Sequence, residues 1–165
     1  MQFHGRIHSF PKEVKVFIAA FVIVLSVGYF TGLLFVQNTE THTPDGIEEN
    51  YLGNEDSEVT DVMKFEKGAR EMLTIIHTHI LSMSFIFFLL GGLIALTSLP
   101  KRLKYFLMIE PFISVLVTFG GIYMLWSGML WMKYIVMISG ILMTFSFALG
   151  AILVLHQLTK KPLTS

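Results

Sequence analysis

Four long apolar stretches dominate the pattern of hydrophobic and polar positions along the chain. They cover residues 16–36, 72–99, 105–126 and 132–156. Each is long enough to cross a hydrocarbon core of about 30 Å as a helix. Helices are favoured over strands because every backbone group in lipid must find its partner within the segment or in a closed barrel. The pattern predicts an all-α integral membrane protein, a single domain of residues 1–165 folded as a four-helix antiparallel bundle.

The distribution of basic residues predicts how the bundle is oriented. Cytoplasmic loops carry an excess of Lys and Arg. On the predicted side of the two termini there are eight basic residues: Arg6, Lys12, Lys15, Lys101, Arg102, Lys104, Lys160 and Lys161. The opposite side has only four. We therefore expect both ends of the chain in the cytoplasm. The four opposing residues are Lys64, Lys67, Arg70 and Lys133.

The one long polar segment, residues 37–70, forms the predicted outer loop between the first two spans. From Glu40 to Glu71 it has ten acidic and three basic residues, a net charge of −7. A charged run of this kind is typical of a solvated surface. Turn-forming glycines such as Gly46 and Gly53, with apolar residues such as Tyr51 and Phe65, favour a partly ordered cap over the mouth of the bundle.

Composition limits the chemistry that the chain can perform. Of its 165 residues 53% are hydrophobic and 15% charged, and it has no cysteine. Disulfides, thiolate metal sites and covalent c-type haem attachment are thereby excluded. The formal net charge of zero gives no indication of a nucleic-acid partner. No nucleophile–base pair, phosphate loop or dinucleotide fingerprint is present, which favours a non-catalytic role.

Two histidines near the outer end of the second span are the strongest candidates for a functional site. His77 and His79 are ionisable groups inside a membrane segment, which by default indicates function. Two helical positions correspond to about 200° of rotation, so the two imidazoles face nearly opposite directions. Neutral imidazole ligates haem iron, copper and zinc, and Met83 is a candidate second ligand. The alternative is that both histidines only form structural hydrogen bonds.

A second polar pair, Glu110 and His156, is predicted at matching depths in the inner half of the membrane: Glu110 about 9 Å into the third span, and His156 about one turn inside the end of the fourth. A carboxyl group facing lipid is costly, so Glu110 should face the bundle, where His156, Lys104, Thr97 or Ser98 could pair with it. Pro111, directly after Glu110, is expected to loosen the preceding helical turn. Either a proton- or ion-binding site or a structural polar clamp between the third and fourth spans would explain the pair.

Three sequence runs resemble a family of small bacterial inner-membrane proteins, some of which carry an elongation-factor label. They are EMLTIIHTHILSMSFIFFLLGG at 71–92, FLMIEPFIS at 106–114 and GIEENYLGNE at 46–55. The resemblance implies a multi-pass protein of the bacterial inner membrane and no particular activity. A second likeness, confined to His77-x-His79, is to haem–copper oxidases and their small relatives, in which such histidines face two different haems.

Three functional hypotheses remain open from the sequence. The first is a redox or accessory component of a respiratory membrane system that binds b-type haem or a metal ion through His77, His79 and Met83. The second is a structural subunit or assembly factor without a cofactor, docking a periplasmic partner through the outer loop. The third is a small ion or proton carrier that uses Glu110 and His156. All three place the chain in the lipid bilayer, with other membrane or periplasmic proteins or a second copy as partners.

Overall fold

A computed structural model describes residues 7–39, 41–55 and 62–160 of the chain. Within these residues a short 3₁₀ turn, Ile7–Ser9, is followed by five α-helices and no strand. The helices are α1 (Lys12–Asn38), α2 (Pro44–Leu52), α3 (Ala69–Ala95), α4 (Lys101–Trp126) and α5 (Met132–Leu158). Four of them, α1, α3, α4 and α5, are long and apolar enough to cross a membrane. The prediction of an all-α four-helix membrane bundle is confirmed.

The helices differ from the predicted spans mainly at the terminal side of the bundle. α4 begins at Lys101 rather than at 105, and α3 ends at Ala95 rather than at 99. The Thr97 hydroxyl donates to the carbonyl of Ile94 at 2.6 Å, and Lys104 Nζ donates to the carbonyl of Ala95 at 3.1 Å. These side chains satisfy carbonyls that a helix end leaves unpaired. A hydropathy pattern marks only the apolar part of a helix, so it misses a first turn that carries charged residues, such as the turn at Lys101.

The core of the bundle is formed by α3, α4 and α5, with α4 and α5 in the most extensive contact. Two glycines allow close packing. A Cβ at Gly150 would lie 2.9 Å from Ile94 Cδ1, and one at Gly121 would lie 2.9 Å from Val136 Cγ2. Small residues at such points let helices approach closely in lipid.

Helix α1 is the peripheral member and contacts the bundle mainly through its first half. Ile18 and Val22 are buried, whereas Phe30 is 60% and Phe35 68% exposed. A Cβ built at Gly28 would have no neighbouring atom within 4 Å, so this face of α1 is open. The second half of α1 therefore presents apolar side chains outward, as a lipid-facing helix does.

Both ends of the described chain lie on the same side of the bundle as the α3–α4 turn. The amide of Ile7 donates to the carbonyl of Leu96 at 3.1 Å, and Lys15 Nζ donates to the carbonyl of Lys160 at 3.2 Å. We call this end the terminal side and the opposite end the cap side. Which of them faces the cytoplasm stays a prediction from the charge count, in which Arg6 and Lys161 lie outside the described residues.

The cap consists of α2 and the returning segment 62–68, and it closes over the cap side of the bundle. The Thr43 hydroxyl accepts from the amide of Gly46 at 3.0 Å and so caps α2, with Pro44 in the first turn. The predicted outer loop therefore contains a helix. Glu40 and residues 56–61, which belong to the same acidic segment, lie outside the described residues.

At the glycine that follows α2, the returning segment crosses the chain closely. Gly53 has φ +84°, and a Cβ there would lie 2.8 Å from the amide nitrogen of Glu66 and 2.9 Å from the carbonyl oxygen of Lys64. The next residue, Asn54, donates its amide to that Lys64 carbonyl at 2.9 Å, and Lys67 donates its amide to the carbonyl of Tyr51 at 3.1 Å. Only glycine fits this close backbone crossing without strain.

We expect Gly53→Ala to release the returning segment of the cap. The clash involves backbone atoms that cannot rotate away, and the positive φ adds to it, for a combined cost of about 2 kcal/mol. Limited trypsin cleavage at Lys64 and Lys67 should then accelerate at least about tenfold, since 1.4 kcal/mol corresponds to tenfold in an equilibrium. Gly68→Ala is the matched control, because a Cβ at Gly68 meets open space at φ −68°. Equal cleavage rates in the two variants would contradict the expectation.

Candidate functional site

A buried carboxyl group sits between α4 and α5 in the interior of the bundle. Glu110 is 8% exposed, and its two carboxyl oxygens accept hydrogen bonds from the hydroxyls of Ser114 and Ser146. Ser114 is one helical turn further along α4, while Ser146 belongs to α5. Both oxygens of a group that would be costly in lipid are therefore satisfied by neutral donors from two helices.

Helical spacing extends this site into a continuous polar seam. On α4, Glu110, Ser114 and Thr118 are four residues apart and share one face. On α5, Ser139 and Ser146 are seven residues apart and face them, with Thr118 Oγ1 and Ser139 Oγ 2.8 Å apart. Every buried side-chain nitrogen and oxygen in the described residues has a hydrogen-bond partner. We use the name polar seam for these five residues.

Helix α4 continues through Pro111, which lies inside it directly after Glu110. Proline has no amide hydrogen, so the carbonyl four residues earlier, that of Leu107, lacks its usual helical donor. Membrane helices tolerate such a position where neighbouring side chains compensate. The sequence Glu110-Pro111 thus combines a polar side chain with a weakened backbone turn at the contact with α5.

The structure does not bring Glu110 and His156 together. Glu110 is nine residues, about 13 Å, inside α4, whereas His156 is two residues, about 3 Å, from the end of α5. His156 is exposed and lies ten residues beyond Ser146 on α5. The two depths were expected to match, with Glu110 about 9 Å into a span that begins near Lys104 and His156 about one turn inside the end of the fourth span. The longer helices separate them.

The other predicted partners of Glu110 are engaged on the terminal side. Lys104 and Thr97 cap the end of α3, as described above, and the amide of Ser98 donates to Gln157 Oε1 at 2.9 Å. Sequence reasoning missed the serines that replace them. The spacing of four between 110, 114 and 118 and of seven between 139 and 146 was the signal that could have found them.

Tyr29 joins α1 to α5 beside the polar seam. Its ring stacks on Phe147 with the ring centroids 3.9 Å apart and the planes at 6°, and its hydroxyl lies 3.3 Å from Thr144 Oγ1. Phe87 of α3 meets the same pair edge-on. This aromatic contact attaches the otherwise peripheral α1 beside Glu110.

The two candidate histidines face different surroundings on α3. His79 stacks on Phe119 of α4, with ring centroids 4.9 Å apart, and its Nδ1 lies 2.7 Å from the carbonyl oxygen of Ile75. His77 instead lines a shallow surface pocket with Arg70, Leu73 and Thr74. Both histidines are exposed. The two rings have different neighbours, as expected from two positions that are about 200° apart on a helix.

Met83 lies one turn below His79 and is half-buried against the core. A spacing of four residues places it near the His79 side of α3. No group of three or more His, Cys, Asp or Glu side chains that could hold a metal ion occurs within residues 7–39, 41–55 and 62–160.

Ion pairs and a tryptophan fasten the cap to the bundle. Lys133 at the start of α5 donates to Asp45 Oδ1 at 2.8 Å and to Glu48 Oε2 at 2.7 Å, both on α2. Trp126 Nε1 donates to the carbonyl of Lys67 at 2.8 Å. Desolvation of Tyr51 between these contacts raises the pKa of its phenol to about 12. The cap is thus held at two separate points.

The outward side of α2 carries an acidic groove. It is lined by the carboxylates of Asp45, Glu48, Glu49, Glu55 and Glu66, together with Lys133. Beside it, the returning segment exposes Val62, Met63 and Phe65 by 65%, 61% and 67%. Lys64 Nζ lies 3.5 Å from Glu49 Oε2. A negatively charged surface therefore adjoins an apolar edge on the same cap.

A family model of a transmembrane helical domain, Aq_1264_TM, matches residues 41–165. The match covers three quarters of the chain. The chain belongs to this family. No curated protein and no solved structure matches the chain. The Aq_1264_TM match includes the cap, the polar seam and both histidines, while α1 lies before it.

Membership of the Aq_1264_TM family, with four apolar spans, establishes a multi-pass membrane protein in contact with the lipid bilayer. The family description states an architecture and no chemistry. Function must therefore be argued from the residues that this domain positions: the polar seam, His77 and His79, and the cap.

We expect Glu110→Gln to be tolerated better than Glu110→Leu. Glutamine can still accept from one serine hydroxyl and donate to the other, whereas leucine leaves Ser114 and Ser146 without their partner at a cost of about 1–2 kcal/mol. Thermal unfolding of the detergent-purified variants measures the difference. Equal losses in both variants would indicate that the carboxyl group itself, rather than hydrogen bonding at this position, holds α4 to α5.

Proposed function

We propose that this protein is a non-catalytic accessory subunit of a bacterial inner-membrane assembly, whose cap docks a partner on the outer face. The observation that carries the proposal is the fastening of the cap to the bundle through Lys133. A loop that served only as a connection would have no need of two ion pairs and a tryptophan hydrogen bond. Held in this way, the acidic groove is presented in a fixed position, which lowers the ordering cost of binding.

Charge supports a partner with a basic surface. Between residues 41 and 55 and between 62 and 71 there are six acidic and three basic residues. Of these acids Asp45 and Glu48 are engaged by Lys133, Glu49 by Lys64 and Glu71 by Lys67. Glu55 and Glu66 are exposed. Complementary charge chiefly steers encounter and fixes orientation, and apolar contact supplies affinity. The exposed Phe65 and its apolar neighbours at the edge of the groove provide such a contact.

The docking proposal can be tested by crosslinking from the cap, because the chain has no native cysteine. Glu55→Cys in native membranes, treated with a short thiol-to-amine crosslinker, should form one discrete adduct with a lysine-bearing partner. Adding Glu49→Gln and Glu66→Gln should lower the yield about fivefold, as expected when two surface charges each contribute about 0.5 kcal/mol. Adduct formation should also fall with rising salt.

Thr159→Cys, on the terminal side, is the matched control and should not give the same adduct. The docking proposal is wrong if Glu55→Cys forms no discrete adduct, or if the yield is unchanged by neutralising the groove. Keeping Asp45, Glu48 and Lys133 intact in every variant preserves the ion pairs between α2 and α5. Because Glu49→Gln also removes the contact of Glu49 with Lys64 inside the cap, Glu66→Gln alone is the variant whose change in yield reports the groove itself.

A second candidate function, binding of b-type haem or another metal cofactor in a respiratory system, is favoured by the hydrogen bond of His79. With Nδ1 directed at the Ile75 carbonyl, the Nε2 lone pair is left to coordinate, the arrangement usual for a ligating histidine. With His79 as one axial ligand, the second would come from a partner subunit or from Met83. Haem bound there would supply one-electron transfer.

An absorption spectrum with metal analysis of protein purified from haem-replete cells tests the cofactor hypothesis. A Soret band that is lost in His79→Ala and kept in His77→Ala is the expected result, because the two rings face different directions. Colourless, metal-free protein would contradict the hypothesis and leave docking as the function. The docking test has no bearing on this spectrum, so the two outcomes are independent.

A further inference from the structure

The outer end of α3 carries a polar stripe that neither proposed function uses. Arg70, Thr74 and His77 are spaced by four and three residues and therefore share one exposed face of the helix. Together with Leu73 they line a shallow pocket, and no carboxylate is among its lining residues. The pocket thus combines a guanidinium group with a hydroxyl and an imidazole, beside an apolar wall.

The position of this pocket along the membrane normal is set by Trp126. Tryptophan favours the membrane–water interface, and its indole donates to the carbonyl of Lys67, three residues before Arg70. Arg70 therefore lies at the level of lipid headgroups. His77 lies seven residues further, about 10 Å deeper, and helical side chains tilt back toward the helix N-terminus. Its ring consequently reaches the level between the headgroups and the acyl chains.

Below the pocket the same face of α3 carries exposed apolar side chains. Leu81, Phe85 and Phe88 are 59%, 64% and 67% exposed. From the end of α3 inward, this face therefore offers a cation, then a hydroxyl and an imidazole, and then a hydrocarbon surface. A phospholipid has the complementary profile: a phosphate, then ester oxygens, then acyl chains.

We propose that this face of α3 binds an anionic phospholipid, with the phosphate on Arg70. Arginine matches phosphate geometry because its planar guanidinium can donate two parallel hydrogen bonds. The Thr74 hydroxyl already donates to the Arg70 carbonyl at 2.8 Å, so its oxygen is directed to accept, as from a headgroup hydroxyl. His77 donates a ring N–H to an ester carbonyl.

This assignment separates the two histidines. His79 packs on Phe119 and bonds to its own helix, whereas His77 stands in the pocket with Arg70. A polar side chain exposed at this depth needs a hydrogen-bond partner, because lipid acyl chains supply none. Among lipid groups at this level, the ester carbonyl is the acceptor that an imidazole N–H can reach. The intramembrane position of His77 is thereby accounted for without a metal.

The test is native mass spectrometry of the detergent-purified full chain, titrated with phosphatidylglycerol and, separately, with phosphatidylcholine. Wild-type protein should retain phosphatidylglycerol preferentially. Arg70→Gln should weaken its tightest binding at least about tenfold, the loss expected for a charge-assisted hydrogen bond, and His77→Ala about threefold. Arg102→Gln, an exposed arginine in the first turn of α4 on the terminal side, is the matched control and should leave this binding unchanged.

Three results would overturn the proposal. The first is that Arg70→Gln binds phosphatidylglycerol within twofold of wild type. The second is that wild-type protein binds phosphatidylcholine as tightly as phosphatidylglycerol. The third is that an equal concentration of inorganic phosphate displaces the lipid, which would indicate a free-anion site. Without added lipid, Arg70→Gln should unfold at the same temperature as wild type. A loss of lipid binding then cannot be attributed to a loss of stability. Because Glu55, Glu49 and Glu66 are untouched, failure here leaves the docking proposal standing.

Discussion

The fold depends on how a carboxyl group is accommodated inside the membrane. Glu110 is enclosed by α4 and α5, and each of its oxygens accepts from a serine hydroxyl on one of the two helices. Lipid offers no competing partner, so the group favours the arrangement that keeps α4 and α5 in register. The extensive α4–α5 contact, the second hydroxyl pair at Thr118 and Ser139, and the attachment of Tyr29 all follow from this register.

The cap side is organised by a different interaction, an ion pair with one cation and two carboxylates. Lys133 lies in the first turn of α5, at the rim of the bundle, and draws Asp45 and Glu48 of α2 onto it. A lysine at this rim would otherwise count only as an exception to the charge rule for membrane orientation. Its role is to fix a short helix that could not be stable alone. The acidic groove is consequently a fixed surface rather than a solvated linker.

The two histidines of this short motif lie in different surroundings. Each residue of a helix is rotated by about 100° from the one before it. His77 and His79 are therefore about 200° apart and meet different environments although only one residue separates them. His79 is oriented by Phe119 and by the Ile75 carbonyl. His77 shares an exposed pocket with Arg70 at the end of α3. The docking, cofactor and lipid proposals thus involve separate surfaces of one small bundle.

Length and hydrophobicity alone determined the membrane class, the number of spans and their antiparallel order, because the bilayer admits few structures. The divergence of His77 and His79 likewise followed from helical geometry. Tertiary structure decided the partners of Glu110. Hydropathy cannot place a helix end within charged turns, so the depth match with His156 was wrong, and serines with no charge to mark them replaced it. The same holds for Lys133, whose carboxylate partners lie more than eighty residues away in the chain and meet it only when the cap folds back.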